Sequence, residues 1–290
     1  GRSRSMGAGF IGFNRNKRSL ALDLKRPQSR AVLARLVSSA DAVVHNMRPK
    51  AAEPLGLDYE QLARIKPDLV YAFAAGYDQS GPNANEPAYD DIVQAAAGVA
   101  ALNANAQGEP RYLATILCDK VGGLHLAIAV ATGLAHRART GKGCCIETPM
   151  FESTVAFLLS EQLGGETFIP ALGPTGYDRL AAPNRKPYRT QDGFMAILPY
   201  NGRHWAAFLE IIGRTDLAHS PQVQDPMRRS QSVDSLYAII AEVAPARPTA
   251  EWLELLRAAD IPCARVNSVG ELLQDPHLVA TGFFREYDHP

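Results

Sequence analysis

The run Cys118-Asp119-Lys120-Val121-Gly122-Gly123 sets a carboxylate beside two glycines at the opening of a long amphipathic stretch that extends to Arg139. Ahead of a helix, an oxygen of Asp119 can cap free backbone N–H groups, and the positive end of the helix dipole lowers the carboxylate's pKa and keeps it ionised. A carboxylate held this way is suited to nucleophilic attack on an activated carbonyl. Gly122 and Gly123 remove side chains from the first turn, which leaves room for a bulky ligand, and their N–H groups are candidate oxyanion donors. The same arrangement also reads as an ordinary Asp N-cap serving stability alone.

Other reactive side chains carry weaker patterns. Tyr89 and Asp90 stand about thirty positions before Asp119 and read either as site residues or as a half-buried aromatic followed by a helix N-cap. His45 and His125 have no Ser or Cys partner at a recognisable spacing and are expected to be structural. Arg15, Lys17 and Arg18 read as a solvated basic run. Cys118, Cys144, Cys145 and Cys263 show neither Cys-x-x-Cys spacing nor the density of a disulfide scaffold, so reduced thiols and no metal site are expected.

The elements that must position these residues alternate in type. Ser19 to Asp23 reads as a short strand, Pro27 to Ser39 as a helix with Pro in its first turn, and Ala42 to His45 as a buried strand. A helix over Tyr59 to Ile65 and a strand over Leu69 to Phe73 follow, then helices over Asp90 to Leu102 and Lys120 to Arg139. A strand at Cys145 to Thr148 leads into a helix from Phe151 to Leu163. This βα alternation predicts a parallel sheet covered by helices, a Rossmann-like α/β domain over residues 1–163.

The Gly- and Pro-rich segment 164–187 predicts a linker, and residues 188–290 a smaller α+β domain. In that part Phe194 to Leu198 and Ala264 to Val266 read as strands, and Arg203 to Ile212, Ser232 to Val243 and Thr249 to Ala259 as helices. Ser268-Val269-Gly270-Glu271 is a capping-box pattern. The 290 residues carry 30 acidic and 30 basic side chains, which argues against nucleic acid or an anionic membrane as a partner. No apolar run reads as long enough to span a bilayer and no signal-peptide pattern opens the chain, so a cytoplasmic enzyme is expected.

Six segments in register extend the reading: Asn14 to Lys25, Ala40 to Pro49, Leu55 to Tyr59, Gly76 to Pro82, Pro87 to Asp90, and Arg139 to Gly143 around the Asp119 motif. In this order and spacing the chain resembles the class III CoA-transferase family, also known as CaiB/BaiF, which includes formyl-CoA transferase and the 2-methylacyl-CoA racemases. The resemblance implies a Rossmann-like large domain with a smaller α+β domain, an interlocked homodimer, and coenzyme A or acyl-CoA as substrate with no permanently bound cofactor. It implies transfer of CoA from an acyl-CoA donor to a small carboxylic acid, with Asp119 passing through an aspartyl anhydride and an aspartyl-CoA thioester.

By position in the family motifs, Leu22, Asp23, Leu24, Lys25, Asn46, Met47, Arg48, Pro87 and Ala88 match segments that line the CoA site, with Tyr89 and Asp90 facing the reaction. Pro54 stands where several relatives carry an Arg. The racemase branch has His at the position of Tyr89; phenols titrate near pH ~10, so Tyr89 favours transferase over racemase. The family's Gly-rich active-site loop has only Gly173-Pro174-Thr175-Gly176 as a partial counterpart. Relatives begin with an earlier strand and helix and end with a return to the large domain, so the resemblance also implies a fragment; an inactive acyl-CoA-binding remnant is the reading from a different class.

Overall fold

The computed structural model describes residues 7–286. The chain divides into two compact units, one formed by Gly12–Leu163 and the other by Gly164–Pro290 with Gly1–Ile11.

The first unit is built on a three-stranded parallel sheet in the order β1 (Ala42–His45), β2 (Val70–Ala75), β3 (Cys144–Pro149). In the central strand Val70, Tyr71, Ala72, Phe73 and Ala75 are all buried, as expected of a parallel strand covered on both faces. The helices Pro27–Ser39 and Tyr59–Ile65 form at their predicted bounds. Pro27 occupies the first helical position, and Asp58 accepts from the Gln61 N–H at 3.0 Å. They contribute Val37 and Leu62 to a core with Leu69, Tyr71, Phe73 and Ala75.

The helix Leu117–Thr140 runs back between β2 and β3. It sits close on the sheet because residue 133 is glycine: a Cβ there would lie 2.6 Å from Val70 Cγ1, 3.0 Å from Ile146 Cδ1 and 3.2 Å from Cys144 Sγ. Its far end is tied down by Arg137, which donates to the Asp41 carboxylate at 2.7 Å and to the Asp41 carbonyl at 3.0 Å. Among the described residues this helix is long and apolar enough, by length and composition, to cross a bilayer, contrary to the sequence expectation that no run would be. Here it packs on β2, β3 and the helix Met150–Gln162.

Two expected elements differ. Ser19 to Asp23 forms no strand, because the alternation of Leu20 and Leu22 meets no neighbouring strand to pair with among the described residues. The helix expected over Asp90 to Leu102 is two helices, Asp90–Ala96 and Val99–Leu102, parted by Gly98 at φ +87°.

In the second unit the strands β4 (Tyr188–Arg189), β5 (Phe194–Ile197) and β6 (Cys263–Arg265) form an antiparallel sheet. The helices Gly202–Ile211, Val233–Val243 and Thr249–Ala258 cover a core that includes Met195, Trp205, Phe208, Leu236, Ile240 and Trp252. The indole N–H of Trp252 donates to the Ala244 carbonyl at 2.9 Å, so this buried aromatic leaves no polar atom unpaired. The predicted capping box forms its reciprocal bonds, Ser268 N–H to Glu271 at 2.7 Å and Glu271 N–H to Ser268 Oγ at 3.3 Å, but it closes a 3-10 turn, Glu271–Gln274, instead of an α-helix.

Candidate active site at the strand ends

β1, β2 and β3 end on one side of the sheet, and a cavity of about 940 Å³ opens there. Ligand crevices of open α/β sheets form outside the carboxyl ends of the strands, so the location follows from topology. Its walls come from His45, Asn46 and Arg48 after β1, Ala75 and Gly76 at the end of β2, and Met150 after β3. Glu86, Pro87, Ala88 and Tyr89 add a rim, and Asp119, Lys120, Gly122 and Gly123 come from the long helix.

The helix starts two residues before Asp119, at Leu117, so Asp119 lies within the first turn and is not the cap. The capping oxygen comes from elsewhere. Asp90 Oδ1 accepts the N–H groups of Cys118 at 2.7 Å and Asp119 at 3.2 Å, while Asp90 Oδ2 accepts Gln94 Nε2 at 2.5 Å. Gln94 also takes the Leu113 N–H on its Oε1 at 2.9 Å and donates to the Thr115 carbonyl at 3.2 Å. Asp90 and Gln94, both buried, therefore fix the segment leading into the helix and the helix end that bears Asp119.

This arrangement changes the electrostatics expected from the sequence. Partial burial, and then the charge of Asp90, hold the Asp119 carboxyl above the usual carboxylate range, where a bare helix dipole would have lowered it. Gly122 and Gly123 lie beyond the first turn, in the helix interior where N–H groups bond carbonyls four residues back, so they are not free oxyanion donors. What they provide is space. A Cβ at Gly123 would meet nothing within 4 Å, and one at Gly122 would touch only Met150, at 3.5 Å.

The cavity gathers Asn46, Arg48, Pro87, Ala88, Tyr89, Asp119, Gly122 and Gly123 from the sequence-predicted set. Tyr89 is 75% exposed on its rim. Asp90 lies behind the wall as described, and Met47 turns its N–H onto His45 Nδ1 at 3.1 Å. Leu22, Asp23, Leu24 and Lys25 do not line the cavity. They form an irregular turn in which the Lys25 N–H bonds Asp23 at 3.1 Å and Arg30 bridges the Leu24 and Pro54 carbonyls at 3.2 and 2.7 Å.

His45, Gly76, Lys120 and Met150 line the cavity without having been singled out as site residues. Their signal was positional, since each follows a predicted strand end or neighbours Asp119. His45 accepts the Met47 N–H on Nδ1, and its Nε2 lies 2.5 Å from Tyr71 Oη, which donates to the Leu57 carbonyl at 2.8 Å. Tyr71 having spent its proton on Leu57, His45 donates from Nε2. Burial lowers its pKa, so the ring is a neutral, single-tautomer brace for the turn carrying Asn46. His125 is committed to its own helix, with Nδ1 2.9 Å from the Val121 carbonyl.

Comparison with known proteins settles the lineage of this architecture. The family model for CoA-transferase family III matches residues 2–290. The chain belongs to that family. It is 34% identical over 279 residues to acetyl-CoA:oxalate CoA-transferase of Acetobacter aceti, an alignment covering 93% of this chain and 70% of the other. It is 28% identical to succinyl-CoA:glutarate CoA-transferase of Mus musculus, covering 97% and 64%. The crystal structure of Rv3272 from Mycobacterium tuberculosis superposes with a TM-score of 0.80 at 28% identity, covering 93% of this chain and 71% of that one. The chain thus spans 64–70% of the length of these two curated relatives. The family membership and the α/β fold with its parallel sheet agree with the expectations drawn from the sequence.

Proposed function

We propose that the chain carries the catalytic unit of an acyl-CoA:carboxylate CoA-transferase with Asp119 as its nucleophile. The observation that carries this reading is the Asp119 carboxylate in the first turn of a helix, at a large cavity whose adjacent wall, Gly123, has no side chain. The ionised Asp119 attacks the thioester carbonyl of the donor; the tetrahedral adduct collapses, expelling CoA thiolate and leaving a mixed anhydride. The thiolate then attacks the aspartyl carbonyl, which releases the donor acid and forms an aspartyl-CoA thioester. The acceptor carboxylate attacks that thioester, giving a second anhydride and thiolate, and the thiolate takes the acceptor acyl group and frees Asp119.

Partial desolvation supports the role, since a carboxylate stripped of water is the stronger nucleophile once ionised. Arg48, whose guanidinium donates to the Asn85 carbonyl at 3.2 Å and has no carboxylate partner among the described residues, is placed to meet a phosphate of CoA. Asn46, Pro87 and Ala88 complete that wall, and Met47 steadies the turn carrying Asn46 through its N–H on His45 Nδ1. Tyr89, a phenol where the racemases use His, supports transfer over proton exchange. The names of the curated relatives, which include oxalate and glutarate transferases, support a small carboxylic acid as acceptor. The remaining elements of the proposal are a cytoplasmic homodimer of the whole protein, and residues 1–163 as the CoA-binding domain joined by the segment 164–187 to the domain 188–290.

Trapping tests it. Incubation of the complete protein with an acyl-CoA and hydroxylamine should convert Asp119 to a hydroxamate found by peptide mass spectrometry, and Asp119→Ala should abolish both label and CoA exchange. A label on another carboxylate, or exchange retained in Asp119→Ala, overturns the mechanism.

A further inference from the structure

The second unit holds a cavity of about 520 Å³ of a different character, sharing no lining residue with the one around Asp119. Arg179, Arg185 and Lys186 line it, with Tyr188, Tyr237 and Cys263. No carboxylate is among its lining residues, and none of these cations has an ion pair among the described residues. Asp234, which acts electrostatically on Tyr188, is already taken by the Asn184 N–H at 2.8 Å and the Asn184 side-chain amide at 3.0 Å.

Arg179 is held without an acid. Its guanidinium carbon is 5.3 Å from the centre of the Tyr177 ring and 5.8 Å from that of Tyr200, and its Nε donates to Tyr177 Oη at 3.4 Å. A guanidinium steadied by aromatic faces keeps most of its donors for something else. Arg185 and Lys186 are exposed at the rim, and burial of the apolar body of Tyr188 makes a firm wall beside them. Concentrating like charges at one concavity is costly unless an opposite charge occupies it.

We propose that this cavity binds a compact dianion bearing phosphate or carboxylate groups, held by Arg179, Arg185 and Lys186. The site is independent of the reading given for Asp119. Its volume lies in the range of small-ligand sites, roughly 300–1,000 Å³. Planar guanidinium forks take paired oxygens of either group, and Lys186 adds a point charge.

Cys263 supplies a local reporter because it is one of the residues lining the cavity. The chain would be alkylated with iodoacetamide in the presence of pyrophosphate, succinate, or sodium chloride at matched ionic strength, and the labelling followed peptide by peptide. Cys145, an exposed thiol in the other unit, is the internal reference. Pyrophosphate or succinate should slow labelling of Cys263 several-fold and leave Cys145 unchanged. The more potent of the two identifies the ligand as phosphate or carboxylate. The double variant Arg185→Ala/Lys186→Ala, in which both side chains are exposed and removable without disturbing the core, should raise the half-protecting concentration by about tenfold or more. Absence of protection, equal protection by sodium chloride, or protection unchanged in the double variant would overturn the proposal.

Discussion

Replacing Asp90 separates the two things that residue does for Asp119, holding its helix and raising its pKa. In Asp90→Ala the N–H groups of Cys118 and Asp119 lose their acceptor. Cys118 is fully buried, so its N–H is left without a partner at a cost of about 1–3 kcal/mol, whereas the Asp119 N–H lies at the cavity and is rehydrated for about 1 kcal/mol. Gln94 keeps the Thr115 carbonyl. The sum, about 2–4 kcal/mol, corresponds to a fall in Tm of about 5–15 °C. Asp90→Asn retains an acceptor for the helix but points an amide donor at Gln94 Nε2, so its Tm should fall between wild type and Asp90→Ala.

The electrostatic effect has the same sign in both variants, because each removes the charge that adds to burial in raising the Asp119 pKa. A carboxyl whose folded pKa is raised holds its proton longer in the folded state, so its contribution favours folding at low pH and is lost as pH rises through that pKa. Removing Asp90's charge should therefore move the Asp119 titration to lower pH and shrink this loss. Differential scanning calorimetry gives the Tm, and carbon-detected NMR titration of aspartate carboxyls gives the pKa. A Tm for Asp90→Ala within about 1 °C of wild type, or an Asp119 titration that stays put or moves upward, would refute the assignment of both roles.

Gly123→Val should leave Tm unchanged or slightly raised, because nothing lies within 4 Å of its Cβ and Gly is a poor helix former by ~1 kcal/mol, yet weaken CoA binding at least tenfold by calorimetry as the side chain fills the cavity. Gly133→Leu should do the opposite in kind: its Cβ meets Val70 and Ile146 within 3.0 Å, so the chain should lose about 3 kcal/mol in urea unfolding.

Elements whose signals are local were legible in the sequence. Pro27 and the apolar spacing after it bound one helix, and the compact run Ala42-Val43-Val44-His45 gave the bounds of β1 but not its burial, since Val44 is 49% exposed. Ser19 to Asp23 shows the limit of such reasoning, since alternation makes a strand only where another strand offers hydrogen bonds. The Asp119 segment shows the other limit. Its position near a helix start could be read from spacing, but the cap that holds it comes from Asp90, 29 residues away in sequence, and nothing in the local residues encodes that bond. The sign of the pKa shift was missed for the same reason, because burial, and after it the charge of Asp90, are both set by tertiary structure. The cavity lining followed a simpler rule, and Gly76 and Met150 were recoverable from the ends of β2 and β3.

The notch at Gly133 separates two properties that many proteins entangle. The lateral seat of the long helix is set by the size of Val70, Ile146 and Cys144 beneath it, deep in the sheet and about two-thirds of the way along the helix. The irregular segment 103–116 that delivers the chain to Leu117 is mostly exposed and is held by hydrogen bonds, Leu113 to Gln94 and Asn103 to the Arg111 and Tyr112 carbonyls. Insertions, deletions and substitutions in that segment can then reshape the approach to the cavity while the carboxylate keeps its coordinates. Chemistry and substrate range are free to diverge on separate parts of the chain, one under the constraint of packing and the other nearly free of it.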